Sequence, residues 1–355
     1  MDNHIMVGAD VHEKSMMLKI AVGRGGARKR SFINDPEGRR AMISHLKESA
    51  HEIGAERISL VYEASSLGFR LYDELTEAGI HCAVVAPTKI VRSMKDRRRK
   101  TDERDAELLL ELLRGHVLAG NDLPRVWAPD AATRDDREIV RARLDVAEKL
   151  TGVKAQARTL LKRQPLEKPS GLGQGWTKAY RAWLRGLVRG PGPLPYGARR
   201  ALESLLRQMR GLEEEIERLD DEVAALSEQA AYAKPARELM QVKGVGLHTA
   251  MVYLTEMGSL KRFGNRKQIG AYLGLVPSAH ESGQSGERKG HITHHGPWRV
   301  RRVLCQAVWA RIRSHRPTQA DYERLVARNP KHKKIAVVAM MRRLAVQLWH
   351  VGLAA

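Results

Sequence analysis

The chain has 355 residues, room for two or three modules at about 150 residues each, and no apolar run approaches the ~18 residues of a membrane-spanning helix. Sixty-two Lys and Arg against 41 Asp and Glu give a formal charge of +21, which self-repels unless a polyanion is present. Nucleic acid is therefore the natural partner, with a basic membrane-surface protein as the rival, and the three Phe and eight Tyr are too few for base stacking to be the main binding device. The opening Met1-Asp2-Asn3-His4 is no signal peptide, and the distant Cys82 and Cys305 read as core thiols suited to a reducing cytoplasm.

Ile5 to Val11 is a short apolar run with Asp10 near its end, and Met16 to Val22 is a second, so the pair reads as a hairpin. Arg30-Ser31-Phe32-Ile33 adds a third strand, and Pro36 to Ile53 a helix. Ile58 to Ala64 is a strand ending in Glu63, Leu67 to Ala78 a helix, and His81 to Ala86 a buried-type strand before Pro87. This alternation is an α/β pattern with mixed pairing. An acid inside a strand that should be buried is costly unless paired or metal-bound, and here it occurs on two strands.

Lys100-Thr101-Asp102-Glu103-Arg104-Asp105-Ala106 then opens a helix continued by Leu108, Leu109, Leu110, Leu112 and Leu113, directly after the basic run Arg97, Arg98, Arg99 and Lys100. Asp102 and Asp105, three apart, share a helix face. Carboxylates held side by side repel unless a cation sits between them, and hard divalent ions take oxygen ligands. Acids at a helix start are also favoured by the macrodipole alone. The two strand acids upstream tip the balance toward a site.

Residues 133–163 are charged and helix-forming. Pro165 to Gly175 and Gly190 to Pro195 are Gly/Pro-rich breakers around one short helix, Trp176 to Val188. Across 198–228 Leu202, Leu205, Leu206, Met209, Leu212, Ile216, Leu219, Val223 and Leu226 recur every three or four residues. That is a long amphipathic helix, a coiled coil either between subunits or with 133–163 of the same chain.

Within Leu239 to Leu254, Gly244-Val245-Gly246 resembles a helix-hairpin-helix turn, where glycines let backbone approach phosphate and Lys243 adds charge. Tyr272-Leu273-Gly274-Leu275-Val276-Pro277 leads into a loop with Ser282-Gly283 and Ser285-Gly286. Gly290-His291-Ile292-Thr293-His294-His295-Gly296 follows, and then a basic helix near Trp298. The serines could simply be turn residues bonding their own backbone. His280, His291, His294 and His295 fit no standard zinc spacing. Ile335 to Leu348, interrupted by Arg342-Arg343, reads as a terminal core helix. No Gly-x-x-x-x-Gly-Lys-Ser/Thr loop occurs.

The order Asp10, Glu63, Asp102, Asp105 resembles the DEDD set of an RNase-H/RuvC-like nuclease core. Lys100 to Ala106 and Gly8-Ala9-Asp10-Val11-His12 resemble two motifs of one group in particular, the bridge-RNA-guided DEDD transposases of the insertion-sequence one-ten (IS-110) family. That resemblance, dense in the first and last thirds, implies an α/β RuvC-like domain over 1–125. It further implies a helical linker and coiled coil over 126–232, and a mostly α C-terminal transposase domain over 233–355 that carries a catalytic serine loop. It implies a site-specific DNA recombinase of an insertion sequence, cytoplasmic and nucleoid-associated. Asp10, Glu63, Asp102 and Asp105 would hold two magnesium ions.

By position Ser282 falls on the family's nucleophile, with Ser285 as the alternative, and Arg299, Arg301 and Arg302 fall on its basic segment. This chain has Glu281 where the family commonly has serine, His294 for a lysine, and Pro297 for a polar residue. His12, two residues past Asp10, would face the site without binding metal itself. The implied partners are donor and target DNA, a guide RNA and further copies of the chain. Because a recombinase must hold two duplexes, self-association through 198–228 is slightly favoured over an internal hairpin. A RuvC-like junction nuclease using the acids without the serine, or a non-catalytic nucleic-acid-binding protein, are the competing readings.

Overall fold

The computed structural model describes residues 3–90, 101–173, 175–190, 192–282 and 285–355, with backbone alone for 279–282 and 285–289. It divides into two units, residues 1–128 and 129–355. Among the described residues no helix is long and apolar enough to cross a membrane.

The first unit is built on a mixed five-stranded sheet. β1 (His4–Val11), β2 (Ser15–Val22) and β3 (Arg28–Ile33) form an antiparallel meander, and β4 (Arg57–Glu63) and β5 (His81–Val85) add in parallel, giving the order β3-β2-β1-β4-β5. Strand alternation splits the apolar residues between two faces. Ile5, Val7, Ala9, Leu60 and Tyr62 pack beneath α1 (Pro36–Glu52) and α2 (Arg70–Glu77). Met6, Val61, Ala83 and Val85 face the other way, onto Leu109, Leu110 and Leu113 of α3 (Asp102–Ala119). Both faces are covered, so the central strands read as continuous apolar runs, with an acid showing wherever the cover ends.

The second unit is helical apart from one hairpin. α4 (Ala131–Lys162) and α6 (Tyr196–Ser227) lie antiparallel along their lengths, with α5 (Lys178–Val188) packed at one end. Leu150 and Val153 meet Met209, Ala157 and Leu160 meet Leu202, and Arg143 holds Asp220 by two hydrogen bonds of 2.7 and 3.1 Å. The stripe on 198–228 is thus covered within the chain by 131–162. Of the two partners the sequence allowed for this stripe, the one seen is residues 131–162 of the same chain, with Leu205, Leu206, Leu212 and Ile216 left partly buried.

After α6 come α7 (Ala233–Met240), α8 (Leu247–Met257), α9 (Arg266–Tyr272), α10 (Trp298–Ser314), α11 (Arg316–Arg328) and α12 (Lys333–Ala354). The hairpin β6 (Pro277–Ser282) and β7 (Ser285–Ile292) is inserted between α9 and α10. One core runs from Val140 and Leu144 of α4 through Val223 and Leu226 of α6 to Leu348 and Trp349 of α12. It crosses the 232/233 position where the sequence suggested a boundary, since the long helices supply part of the C-terminal core.

Candidate metal centre and serine hairpin

β1 pairs in parallel with β4, Ala9 opposite Tyr62. The next residues along are Asp10 and Glu63, at the C-terminal ends of neighbouring strands and on the face that carries Met6, Gly8 and Val61. α3 lies on that face. Thr101 caps its start, its hydroxyl accepting from the Arg104 N–H at 3.3 Å, which places Asp102, Glu103 and Asp105 in the first turn.

His12 Nε2 sits 3.0 Å from Asp10 Oδ2 and 3.4 Å from Asp102 Oδ1. Among the described residues, Asp10, His12 and Asp102 form the group whose ligand atoms all lie within 4.8 Å of one another. Burial raises the Asp10 pKa, His12 opposes the rise, and the charges of the buried Asp105 and of Asp102 add to it. Like charges crowding a half-buried carboxylate make a site where added positive charge is favoured. The oxygen-rich donor set fits a hard divalent ion. Glu63 and Asp105 stand outside the group of three.

Two devices hold α3 in place, and sequence reasoning missed both. A Cβ at Gly8 would lie 2.2 Å from the Ala106 carbonyl oxygen and 2.3 Å from the Leu110 nitrogen. Only glycine lets the helix approach β1 this closely, and Ala106 directly follows Asp105. The signal available was position: Gly8 is two residues before Asp10, on the same strand face. The second device is ionic. Lys19 Nζ of β2 reaches Glu103 at 2.8 Å and Glu107 at 3.3 Å, and Lys29 of β3 reaches Glu103 at 2.7 Å. Hydrogen bonds from Lys19 and Lys29 hold the Glu103 carboxyl down to about 2. Glu103 is committed to the lysines, which leaves Asp102 and Asp105 for the site.

The serine hairpin is anchored at its root. A Cβ on Gly274 (φ +62°) would lie 2.2 Å from the His295 carbonyl oxygen, and one on Gly296 (φ +80°) 1.8 Å from that of Tyr272. The leader Tyr272-Leu273-Gly274 therefore lies backbone to backbone against His294-His295-Gly296, with His294 itself at φ +56°. Arg301 clasps this junction, its Nη1 donating to the carbonyls of Leu273, His295 and Gly296 at 3.0–3.1 Å. Pro277 pairs with Ile292 at the root and Ser282 with Ser285 at the tip. The two candidate nucleophiles occupy facing backbone positions, so both are carried on one arm.

The family model described as "Transposase IS116/IS110/IS902 family" matches residues 236–323, and the DEDD transposase model of the IS110 type matches 7–164. Two proteins of Sinorhizobium fredii named as transposases are similar. One, y4qE, is 31% identical over 254 residues, a match covering 72% of this chain and 58% of y4qE. The other, y4rJ, is 30% identical over 364 residues, covering 95% of this chain and 89% of y4rJ. The transposase for insertion sequence element IS1533 of Leptospira borgpetersenii is 25% identical over 353 residues, 98% of this chain and 95% of its own. This chain belongs to the IS110-type DEDD transposases.

The match over 7–164 encloses the acids, and the match over 236–323 encloses the serine hairpin. Other residues read from sequence as nucleic-acid contacts fall differently in this transposase. Arg97, Arg98, Arg99 and Lys100 lie outside the described residues. Lys243 is exposed beside the turn. Arg299 donates to Asp145 at 3.0 Å and Arg302 to Glu148 at 3.2 Å, both acids of α4. With Arg301 bound to carbonyls, the basic segment is tied into the fold. The glycine turn also has a tertiary reason: a Cβ on Gly244 (φ +83°) would lie 2.5 Å from Arg311 Cγ and 2.9 Å from the Ala307 carbonyl oxygen on α10. Burial pushes the Cys82 thiol up to about 12, which keeps it protonated and inert.

Proposed function

We propose that this transposase cuts and rejoins DNA at the ends and target of a mobile element through a serine–DNA intermediate. The reading is carried by Asp10 and Asp102, brought from a strand and a helix start to either side of His12. Asp10, Glu63, Asp102 and Asp105 are the residues that would hold magnesium, two ions being the natural occupancy for four carboxylates. Magnesium there would supply charge neutralisation for the scissile phosphate and its leaving oxygen.

The chain's own residues account for the rest. Ser282 on the hairpin arm supplies the attacking oxygen, and Ser285 is its backbone partner on the facing strand. The new bond is Ser282 Oγ–P, the broken one is the DNA P–O ester, and the proton lost by serine is matched by the one the leaving hydroxyl gains. The reverse step with a different hydroxyl reseals the strand. Each step trades one phosphate ester for another, so no nucleotide energy source is needed. His12, hydrogen-bonded to Asp10, keeps that carboxylate oriented toward Asp102.

The +21 charge supports polyanionic partners, namely donor and target DNA together with a guide RNA that selects them by base pairing. In this reading the protein acts in the cytoplasm as a homo-oligomer, two duplexes being held at once. The test is to incubate the full-length protein with element-end DNA, the RNA from the flanking non-coding sequence and magnesium, then denature and map the adduct. A nucleotide ester on Ser282, lost in Ser282→Ala, is expected. Strand cleavage with solvent oxygen in the product and no protein adduct would leave a plain nuclease instead.

A further inference from the structure

α12 has two apolar faces. Ala336, Val337, Met340, Met341, Leu344 and Leu348 are buried in the core. Ile335, Val338, Ala339 and Val346 form a second stripe at spacings of three, four and eleven residues, and line an open cleft. Ile335 is 59% exposed. The opposite wall is the root of the serine hairpin, Leu275, Pro277 and Ile292. The cleft holds about 1480 Å³, above the roughly 300–1,000 Å³ of small-molecule sites, so a polymer segment is the fitting occupant.

Its rim is cationic. Arg266, Lys331, Lys333, Lys334 and Arg342 line it, and among the described residues no lining residue is acidic. Asp321 reaches Arg343 at 3.7 Å from outside the lining. Among the described residues no carboxylate pairs with Lys331, Lys333 or Lys334. A lysine and arginine rim selects an occupant that carries negative charge along its edge. The occupant must be anionic at its edge and apolar in its middle.

We infer that this cleft seats an unpaired nucleic-acid strand, phosphates on the lysine rim and bases against the aliphatic floor. A duplex turns phosphates and sugars outward and keeps its bases stacked, so it would leave the floor unused, whereas a single strand can splay its bases onto it. The assignment rests on the chain acting on nucleic acid, and it puts an unpaired strand at the foot of the arm that carries Ser282.

The test is binding alone, in chelator, with full-length protein, so that it is decided separately from the serine chemistry. Fluorescence anisotropy would compare labelled 12-nucleotide dT and U oligomers with a 12-base-pair duplex for wild type, Ile335→Asp and the double variant Lys333→Glu/Lys334→Glu. Ile335→Asp, at an exposed position, should weaken both single strands about tenfold and the duplex less than twofold. The double variant should lower the single-strand salt slope by about 1.4, two phosphate contacts' worth. Either sugar binding more tightly identifies which strand is seated. Photo-crosslinking of 4-thiothymidine and 4-thiouridine oligomers to wild type should label the 333–346 peptide. Equal losses for single strand and duplex would overturn the proposal in favour of a duplex seat. Unchanged affinities with crosslinks elsewhere would overturn it too, and would leave the cleft to an acidic amphipathic helix of a protein partner.

Discussion

Asp10, Glu63, Asp102 and Asp105 stand at strand ends and on the first turn of a helix, each continuous with packed core, whereas Ser282 and Ser285 stand at the tip of a two-stranded hairpin anchored at its root. An isolated two-stranded hairpin is marginal in water, and this one borrows its stability from the backbone clasp at Gly274, Gly296 and Arg301. The difference suits the roles proposed for the two parts. A set of carboxylates sharing cations needs fixed spacing, because repulsion between them is otherwise uncompensated. A nucleophile that joins a strand and later releases it needs an arm that presents it.

Removing members of each set should separate the two most sharply. Asp102→Ala should cost roughly 10²–10³-fold or more in strand joining, and should abolish Mn²⁺ binding measured by calorimetry with the melting midpoint little changed. Ser282→Ala should stop joining equally but leave Mn²⁺ binding intact. Joining retained by Asp102→Ala, or Mn²⁺ affinity lost by Ser282→Ala, would dissolve the separation.

The next effects come from the glycines that position each region. Gly8→Ala forces a methyl into the Ala106 carbonyl, so α3 must shift with Asp102 and Asp105. We expect a loss of about 3 kcal/mol in stability and roughly 10²-fold in joining, with weaker Mn²⁺ binding. Gly274→Ala, at φ +62° and against His295, should cost about 1–3 kcal/mol. It should depress adduct formation while leaving Mn²⁺ binding at the wild-type level. Urea melts and calorimetry on both variants check the pair; Mn²⁺ affinity falling in Gly274→Ala would contradict the division of labour.

These glycines also mark what could be read from the sequence. The strands and long helices were legible because their apolar periods differ, and Asp10 and Glu63 because a charge breaks an otherwise buried run. Gly8 was not, because its requirement comes from a helix 98 residues later that only the folded chain brings near. The stripe of α6 gave its period but not its partner, since an internal and an external helix demand the same spacing. Arg299, Arg301 and Arg302 looked like phosphate contacts by charge alone. Their acceptors, Asp145, Glu148 and three backbone carbonyls, carry no sequence signal that pairs them.

A smaller, pH-dependent effect probes the second unit. His248, in the first turn of α8, has both ring nitrogens buried with no hydrogen-bond partner among the described residues, and burial followed by the charges of Arg143 and Arg302 lowers its pKa to about 4. Asp220 acts the other way. The unfolded chain, with its histidine near 6.5, takes up the proton first as pH falls. Stability is therefore fully present above pH 6.5 and is lost progressively toward pH 4. The loss from this group between pH 7.5 and 5 is about 2 kcal/mol. His248→Phe should flatten that part of the melting-temperature profile, and an unchanged slope would remove His248 as its source.

The smallest expected effect falls on the ionic device beside the acids. Lys19 joins Glu103 and Glu107, and Lys29 joins Glu103 independently. Lys19→Met keeps the apolar stem against β2 and removes the charge, so α3 loses one of its two tethers while Gly8 still sets its distance from β1. Partly exposed ion pairs contribute little, and the remaining lysine keeps Glu103 paired. A fall in joining of about threefold is expected, far below that for Gly8→Ala, because backbone contact constrains a helix more tightly than a lysine side chain does. A Lys19→Met loss as large as that of Gly8→Ala would mean that the electrostatic tether, rather than close packing, sets the spacing of Asp102 from Asp10. The contrast between packed acids and arm-borne serines would then need a different physical basis.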